Sequence, residues 1–267
     1  MTTAKRIFGT REWSTSSENC MKSGCSHNCK YCYARSEALN KYHTLDDPAN
    51  WPKEYVDFDK VNTKRFGKRD GTIMFPTKHD ITPETLDACI TFLRHMLVPG
   101  NDVLIVSKPH LKCVQRMCYE LKEWRDQILF RFTIGAMSND ILAYWEPGAP
   151  TFGERFDALQ HAFHAGFRTS VSMEPVLDWV GLYTAFHAFE PFVTDSIWIG
   201  IINYLDQRVT IETEEDKRRV AAVKSWQNID NYHAVYDSFK RHPLVRWKES
   251  IKEALGLELP TEAGLDV

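Results

Sequence analysis

Asp102-Val-Leu-Ile-Val-Ser107, then Leu111, Val114, Cys118 and Leu121 at helical spacing, then Ile128-Leu-Phe-Arg-Phe-Thr-Ile-Gly135: this stretch decides the fold. A short apolar run ending in polar or turn residues reads as a strand buried on both faces, and a stripe at helical spacing reads as an amphipathic helix. Strand, helix and strand at this distance form a βα unit, whose strands run parallel. Working outward, similar runs lie at Thr72–Thr77, Thr169–Glu174 and Ser196–Ile202. Between them, Leu86, Cys89, Ile90, Leu93 and Leu97 form another helical stripe, and Phe156, Leu159, Phe163 and Phe167 a third. The strand starts are about 25 to 40 residues apart, the length of one βα unit. A strand at Ser14–Asn19 would make six, fewer than the eight of a complete barrel. The expectation is an α/β fold, a partial (β/α)6 TIM-like barrel. Its core spans about residues 14–203, and a helical C-terminal segment spans about 210–257. That segment includes the charged run Glu212–Arg219, then Ala221 to Trp226, and Val245–Leu255. Residues 1–267 read as one domain, and the segment after Asn203 suits a substrate lid, a partner surface or closure of the barrel.

The composition bounds the function. Of 267 residues, 43% are hydrophobic and 12% aromatic, ample for a buried core, so disorder is excluded as the chain's main character. Lys plus Arg is 33 and Asp plus Glu is 36, giving 33 − 36 = −3, so no global positive field recruits nucleic acid or an anionic membrane. Met1 to Trp13 lacks the apolar segment of a signal peptide, and no apolar run is long enough to cross a membrane. The expected compartment is the cytoplasm. Seven cysteines, an odd number, argue for reduced thiols or metal ligands rather than a disulfide framework. Cys89, Cys113 and Cys118 fall in stretches with helical periodicity and read as small apolar core residues. Cys20, Cys25, Cys29 and Cys32 crowd together near the N-terminus.

Cys25-Ser-His-Asn-Cys29-Lys-Tyr-Cys32 has Cys-x3-Cys-x2-Cys spacing, preceded by Gly24 and without apolar periodicity, as suits one tight loop. Three thiolates on one loop suit an iron–sulfur cluster, and three protein ligands where four are usual leave one iron open. A structural zinc site completed by His27 or Cys20 is the competing reading. Zinc loops usually split into two distant ligand pairs, and no second pair follows here.

At these residues the chain resembles the radical SAM enzymes, whose signature is a Cys-x3-Cys-x-aromatic-Cys loop after the first strand of a partial (β/α)6 barrel. Tyr31 fills the aromatic position. The longer run Gly24 to Arg35 is similar to the spore photoproduct lyase and DNA-repair-lyase-like branch. The resemblance implies a [4Fe–4S] cluster on Cys25, Cys29 and Cys32, with S-adenosylmethionine on the fourth iron. It further implies reductive cleavage to a 5′-deoxyadenosyl radical that abstracts hydrogen from a substrate, with an external electron donor of flavodoxin or ferredoxin type. Tyr31 would pack near the adenine, or serve as a core aromatic beside the loop.

Chemistry in such barrels gathers at the carboxyl ends of the strands. Lys108 ends an apolar run, where a buried ammonium needs an anion such as the methionine carboxylate, and Ser107-Lys108 is similar to a Thr/Ser-Lys pair of the lyase-like branch. Thr133 is similar to a serine that the branch uses near the cofactor. Ser172 lies one strand further along. Glu174, before Pro175, would bond ribose hydroxyls or substrate, or pair with Arg131 or Arg168. No Gly-Gly-Glu follows Thr72–Phe75, so Thr77 or His79 would have to hold the cofactor's amino group. His79 and Asp80 could transfer protons, or simply make a turn leading into Thr82-Pro83. No cysteine lies from Met74 to Ile81, where spore photoproduct lyase carries a hydrogen donor, which argues against dimer repair. The basic run Lys60 to Arg69 could hold phosphates, or be a solvated loop. The substrate is therefore expected to be a small molecule, nucleotide or peptide rather than nucleic acid. A nucleic-acid-directed lyase and a non-enzymatic zinc module are the alternatives.

Overall fold

The computed structural model describes Ile7 and residues 9–264. In chain order its strands are β1 (Ser16–Ser17), β2 (Met21–Ser23), β3 (Tyr55–Val56), β4 (Thr72–Phe75), β5 (Asp102–Ser107), β6 (Ile128–Thr133), β7 (Arg168–Met173), β8 (Ile197–Ile199) and β9 (Val245–Trp247). Its α-helices are α1 (Tyr33–Asn40), α2 (Phe58–Thr63), α3 (Leu86–Leu97), α4 (Leu111–Glu120), α5 (Asn139–Trp145), α6 (Phe152–His164), α7 (Leu182–Phe189), α8 (Leu205–Arg208), α9 (Glu214–Trp226), α10 (Ile229–Phe239) and α11 (Glu249–Leu255). Seven strands form one sheet in the order β1-β4-β5-β6-β7-β8-β9. Every neighbour in it is parallel, and the sheet curls into a half-barrel. β2 and β3 make a separate antiparallel pair.

Alternation along the strands sorts side chains onto two faces. Val103, Ile105, Phe130, Phe132, Val171 and Met173 join the main core beneath the helices. Met74, Leu104 and Val106 point the other way and pack with Trp13 and Leu129 inside the half-barrel. Arg131 shares that inner face, with its guanidinium 4.8 Å from the Trp13 ring and 5.1 Å from Trp198. The helices cover the outer face with apolar stripes. On α3, Phe92, Leu93, Met96 and Leu97 are wholly buried, each contributing roughly 1.5–3 kcal/mol by the transfer of apolar surface. Thr151 caps α6 by accepting from the Glu154 amide at 3.3 Å, and Thr213 with Asp216 forms a reciprocal capping box on α9.

Two expectations are corrected. The inner sheet has seven strands, because Val245–Trp247, expected as helix, pairs with β8 in parallel register. Three residues carry too little alternation to reveal a strand, while the apolar spacing of the following α11 dominates the window. The first strand is also shorter than Ser14–Asn19, since only Ser16 and Ser17 pair with Ile73 and Met74. Among the described residues, no helix is long and apolar enough to cross a membrane.

Candidate active site

The cysteine loop is built by backbone constraints. Gly24 has φ +90°, and a Cβ there would lie 1.8 Å from the Lys53 carbonyl oxygen, so only glycine fits. Cys25 donates to the Trp51 carbonyl at 2.9 Å, and Asn28, at φ 46°, turns the chain and donates to the Cys25 carbonyl. Cys32 starts α1, its Sγ accepting from the Arg35 amide at 3.4 Å. Arg35 reaches back to Asn28 Oδ1 at 2.9 Å and the Lys30 carbonyl at 2.8 Å. The end of α5 and the segment after it clamp the other side: Lys30 donates to the Trp145 carbonyl and Gly148 to that of His27. A Cβ on Gly148 would stand 2.0 Å from the Ser26 carbonyl oxygen.

All three thiols thereby line one cavity of about 840 Å³ at the carboxyl ends of the strands. Cys25 and Cys29 are buried, Cys32 half-buried. Burial pushes the Cys25 thiol up to about 12 and Cys29 well above its ordinary value. Thiols in so dry a wall ionise when a metal binds them, because the ion's charge replaces the lost solvent. The lining donors are thiols from one loop, and soft thiolates select iron–sulfur clusters, zinc or copper(I). The residues present fit a cluster.

The partners proposed for zinc are committed elsewhere. Cys20 is fully buried, with its Sγ 3.7 Å from Cys89 Sγ and 3.9 Å from His79 Nε2. The hydrogen bond from Cys89 pulls Cys20 down to about 6. His27 lies with Cys25 and Asp80 in a group of ligand atoms within 4.8 Å, but both its ring nitrogens are taken, Nδ1 by Asp80 at 2.8 Å and Nε2 by His110 at 3.0 Å.

Asp80 is the hub of this wall. Its Oδ1 accepts from the Lys108 amide at 2.7 Å and from Ser107 Oγ at 3.1 Å, while its Oδ2 lies 3.6 Å from Lys108 Nζ. Burial alone would raise the Asp80 carboxyl, but Lys108 and His27 more than offset it and hold it well below the usual range. The anion that Lys108 was expected to need is thus partly supplied by the protein. Lys108 lines the cavity and its charge also bears on Cys29.

Tyr31 lines the cavity, its ring packs 6.4 Å from Trp145, and its hydroxyl bonds Glu146. Glu146 pairs with the fully buried Arg155 at 2.6 Å. Burial would raise Glu146, and Arg155 with Lys108 pulls it below its ordinary value. Sequence reading missed this pair, and also Asp80 as a hub, because neither has a local pattern.

Thr77, Thr133 and Glu174 also line the cavity. Thr77 is tied to Asn19, its Oγ1 accepting from Nδ2 at 2.5 Å. Ser172, level with Thr133 in the sheet, is wholly buried and does not line the cavity, and its Oγ has no hydrogen-bond partner among the described residues. His79 lines the cavity edge with Nδ1 on the Asp80 carbonyl oxygen at 2.8 Å. Glu174 pairs with neither arginine anticipated for it. Arg131 bonds Ser170 at 2.9 Å and Arg168 pairs with Asp195 at 2.9 Å, while Glu174 lies 3.6 Å from Lys248, just after β9. Lys248 also meets Glu12 and, at 3.2 Å, Glu249. Burial raises Glu174 to about 7, with Lys248 opposing.

The basic run is no open phosphate cradle. Lys60, Lys64 and Arg69 converge on Glu18 at 3.2, 3.8 and 3.1 Å, and part of the run is helix α2.

In this chain a three-cysteine loop stands at the carboxyl face of a parallel half-barrel, and solved structures share the half-barrel fold. The chain is similar in fold to spore photoproduct lyase with bound AdoMet and dinucleoside spore photoproduct. The TM-score is 0.51 at 14% identity, over 92% of this chain and 79% of that one. It is also similar to Streptococcus suis SuiB, in structures bound to S-adenosylmethionine (TM-score 0.53, 8% identity) and to the precursor peptide SuiA (TM-score 0.54, 8% identity). Both cover 94% of this chain but 54% of SuiB, so the chain spans about half of SuiB's length. At these identities the likeness is one of fold. No family model matches the chain, and no curated protein matches its sequence.

Proposed function

We propose that this chain is a radical SAM enzyme acting on a small molecule, nucleotide or peptide. The observation that carries the reading is the convergence of Cys25, Cys29 and Cys32 on one cavity at the carboxyl face of a parallel half-barrel. Two neighbours of the same fold hold AdoMet, one with a dinucleoside and one, in another structure, with a peptide. At about 840 Å³ the cavity lies toward the upper end of the roughly 300–1,000 Å³ usual for ligand sites, room for a cofactor beside a modest substrate. Cys25, Cys29 and Cys32 would hold a [4Fe–4S] cluster. When bound, cluster and S-adenosylmethionine together supply reductive cleavage and a 5′-deoxyadenosyl radical for hydrogen abstraction.

The chain's own residues bind, aim and shield. Lys108, held ionised by Asp80, offers the cofactor carboxylate an ammonium at the cavity wall. Thr133 offers a hydroxyl at the cavity wall, whereas Ser172, its neighbour on the next strand, is wholly buried and stands outside the lining. Thr77 and Glu174 offer acceptors for amino or ribose hydroxyl groups, and Tyr31 a flat apolar face. His79 and Asp80 are assigned to support rather than proton transfer, because both face the protein's own groups. The C-terminal segment belongs to the same unit as the barrel, and an external electron donor of flavodoxin or ferredoxin type supplies the reductant in the cytoplasm. The drawing of Lys60, Lys64 and Arg69 onto Glu18 counts against a nucleic-acid-directed lyase.

The test is anaerobic reconstitution with iron and sulfide, then assay for 5′-deoxyadenosine from S-adenosylmethionine under dithionite. The expected result is product from the native chain and none from Cys29→Ala. A colourless protein that binds one zinc and yields no deoxyadenosine would overturn the proposal.

A further inference from the structure

Away from the cysteine loop, Lys248 meets Glu12, Glu174 and Glu249 in a cluster of largely buried ionisable groups at the cavity wall. Lys248 follows β9 directly, its amide donating to the Ile199 carbonyl at 3.0 Å, and it is 1% exposed. Its Nζ donates to the Gly9 carbonyl at 2.9 Å and meets Glu12, with Glu249 at 3.2 Å and Glu174 at 3.6 Å. An ammonium has three protons, so these four acceptors outnumber its donors. Glu174 is the outermost of the three carboxylates, and its side chain is 20% exposed where it lines the cavity. The protein makes room for this pair: a Cβ on Gly200 would lie 2.9 Å from Lys248 Cβ and Cγ and 3.0 Å from Glu174 Cγ. Closing the sheet needs none of this, because Val245, Trp247 and Ile251 already supply the apolar contacts. Burying a lysine there costs free energy unless its charge is used.

We propose that Lys248 is the positioning residue of Glu174: the seventh strand delivers an ammonium that aims this carboxylate into the cavity and sets its charge. The C-terminal segment is then part of the site as well as its closure, and the ligand group that Glu174 receives is a hydroxyl or ammonium donor. The inference rests on the reading of this cavity as the cofactor and substrate site. The groups that bear on Glu174 are Lys248 and Arg208, which favour its ionised form, and Glu249, which disfavours it, with Glu12 behind Lys248. Its carboxyl titrates near 7, chiefly through burial, so the balance between these neighbours decides its charge in the cell.

Infrared difference spectroscopy of the cluster-loaded protein, titrated from about pH 5 to 9, follows the protonated-carboxyl band that Glu174→Gln removes. Lys248→Met should raise the midpoint by at least about one pH unit, a tenfold gain in proton affinity, and Lys248→Arg should restore it. Lys248→Gln, which keeps hydrogen-bond donors without the charge, should shift it the same way and serves if the methionine variant does not fold. Glu249→Gln should lower it. An unmoved midpoint in the folded uncharged variants overturns the inference. If the chain makes 5′-deoxyadenosine while Glu174 ignores Lys248, this inference fails alone. If Lys248 governs Glu174 but no S-adenosylmethionine is cleaved, the proposed function fails and the pairing stands.

Discussion

Two walls of one cavity solve the problem of buried charge in opposite ways. On the wall beside the cysteine loop, one carboxylate, Asp80, is outnumbered by donors from His27, Ser107 and Lys108. Across the cavity one ammonium, Lys248, is outnumbered by the carboxylates of Glu12, Glu174 and Glu249. A surplus of donors fixes an acid in its charged form, so Asp80 stays ionised over the whole physiological range. A surplus of acids obliges some to take up protons. Burial and Glu249 together raise Glu12 to about 9, while Glu12 and Lys248 draw Glu249 below its ordinary value. The first wall is therefore a rigid frame for the cysteine loop, and the second is electrostatically adjustable.

The comparison breaks most severely at Asp80. Asp80→Ala leaves Lys108 and His27 without their shared partner, and removal of one side of a buried ion pair costs about 3–5 kcal/mol. Urea denaturation should register that loss, and iron retained after reconstitution should fall with it, because His27 sits within the cysteine loop.

A pH series sharpens the contrast between the walls. Glu174 and Glu12 have folded-state values above the usual 4.5, so the folded state holds more protons, and stability falls as pH rises from about 4.5 through 7 and on towards 9. The decline should be on the order of 2–3 kcal/mol, given the coupling within the cluster. Asp80 has the opposite sign: its contribution is complete above its ordinary value and is lost only as pH falls below it. Urea midpoints across this range check both, and Glu174→Gln should flatten the part of the slope below pH 7 while leaving the acid limb intact. A slope unaltered by Glu174→Gln contradicts the assignment.

The smallest effect is expected at Tyr31→Phe. Glu146 belongs to the donor-rich side, served by Arg155 as well as by the Tyr31 hydroxyl, so losing one donor should cost about 1 kcal/mol. A loss near that for Asp80→Ala would mean that Glu146 depends on Tyr31 rather than on Arg155.

The two walls also differ in how far they could be read in the sequence. The cysteine loop was legible because its ligands are local: spacing, Gly24 and the aromatic at Tyr31 all fall within nine residues, Gly24 to Cys32. Lys108, Thr133 and Glu174 were legible as strand ends, since alternation along long buried strands places them on the inner face. Lys248 was not, because β9 is too short to show alternation and its partner Glu12 lies at the other end of the chain. In sequence Asp80 reads, beside His79, as a turn residue or proton carrier, and its role as a hub leaves no local trace because its partners come from the cysteine loop and from the end of β5. Pairings that depend on tertiary approach leave no periodic trace. The same holds for Glu146 with Arg155 and for the approach of Lys60, Lys64 and Arg69 to Glu18.

The central claim is that Cys25, Cys29 and Cys32 hold a cluster with an iron open to S-adenosylmethionine. Electron paramagnetic resonance of the anaerobically reconstituted, dithionite-reduced protein tests it most directly. The account predicts a reduced [4Fe–4S] signal that shifts when S-adenosylmethionine is added and disappears in Cys29→Ala. A signal indifferent to S-adenosylmethionine, or one that survives loss of Cys29, would contradict it.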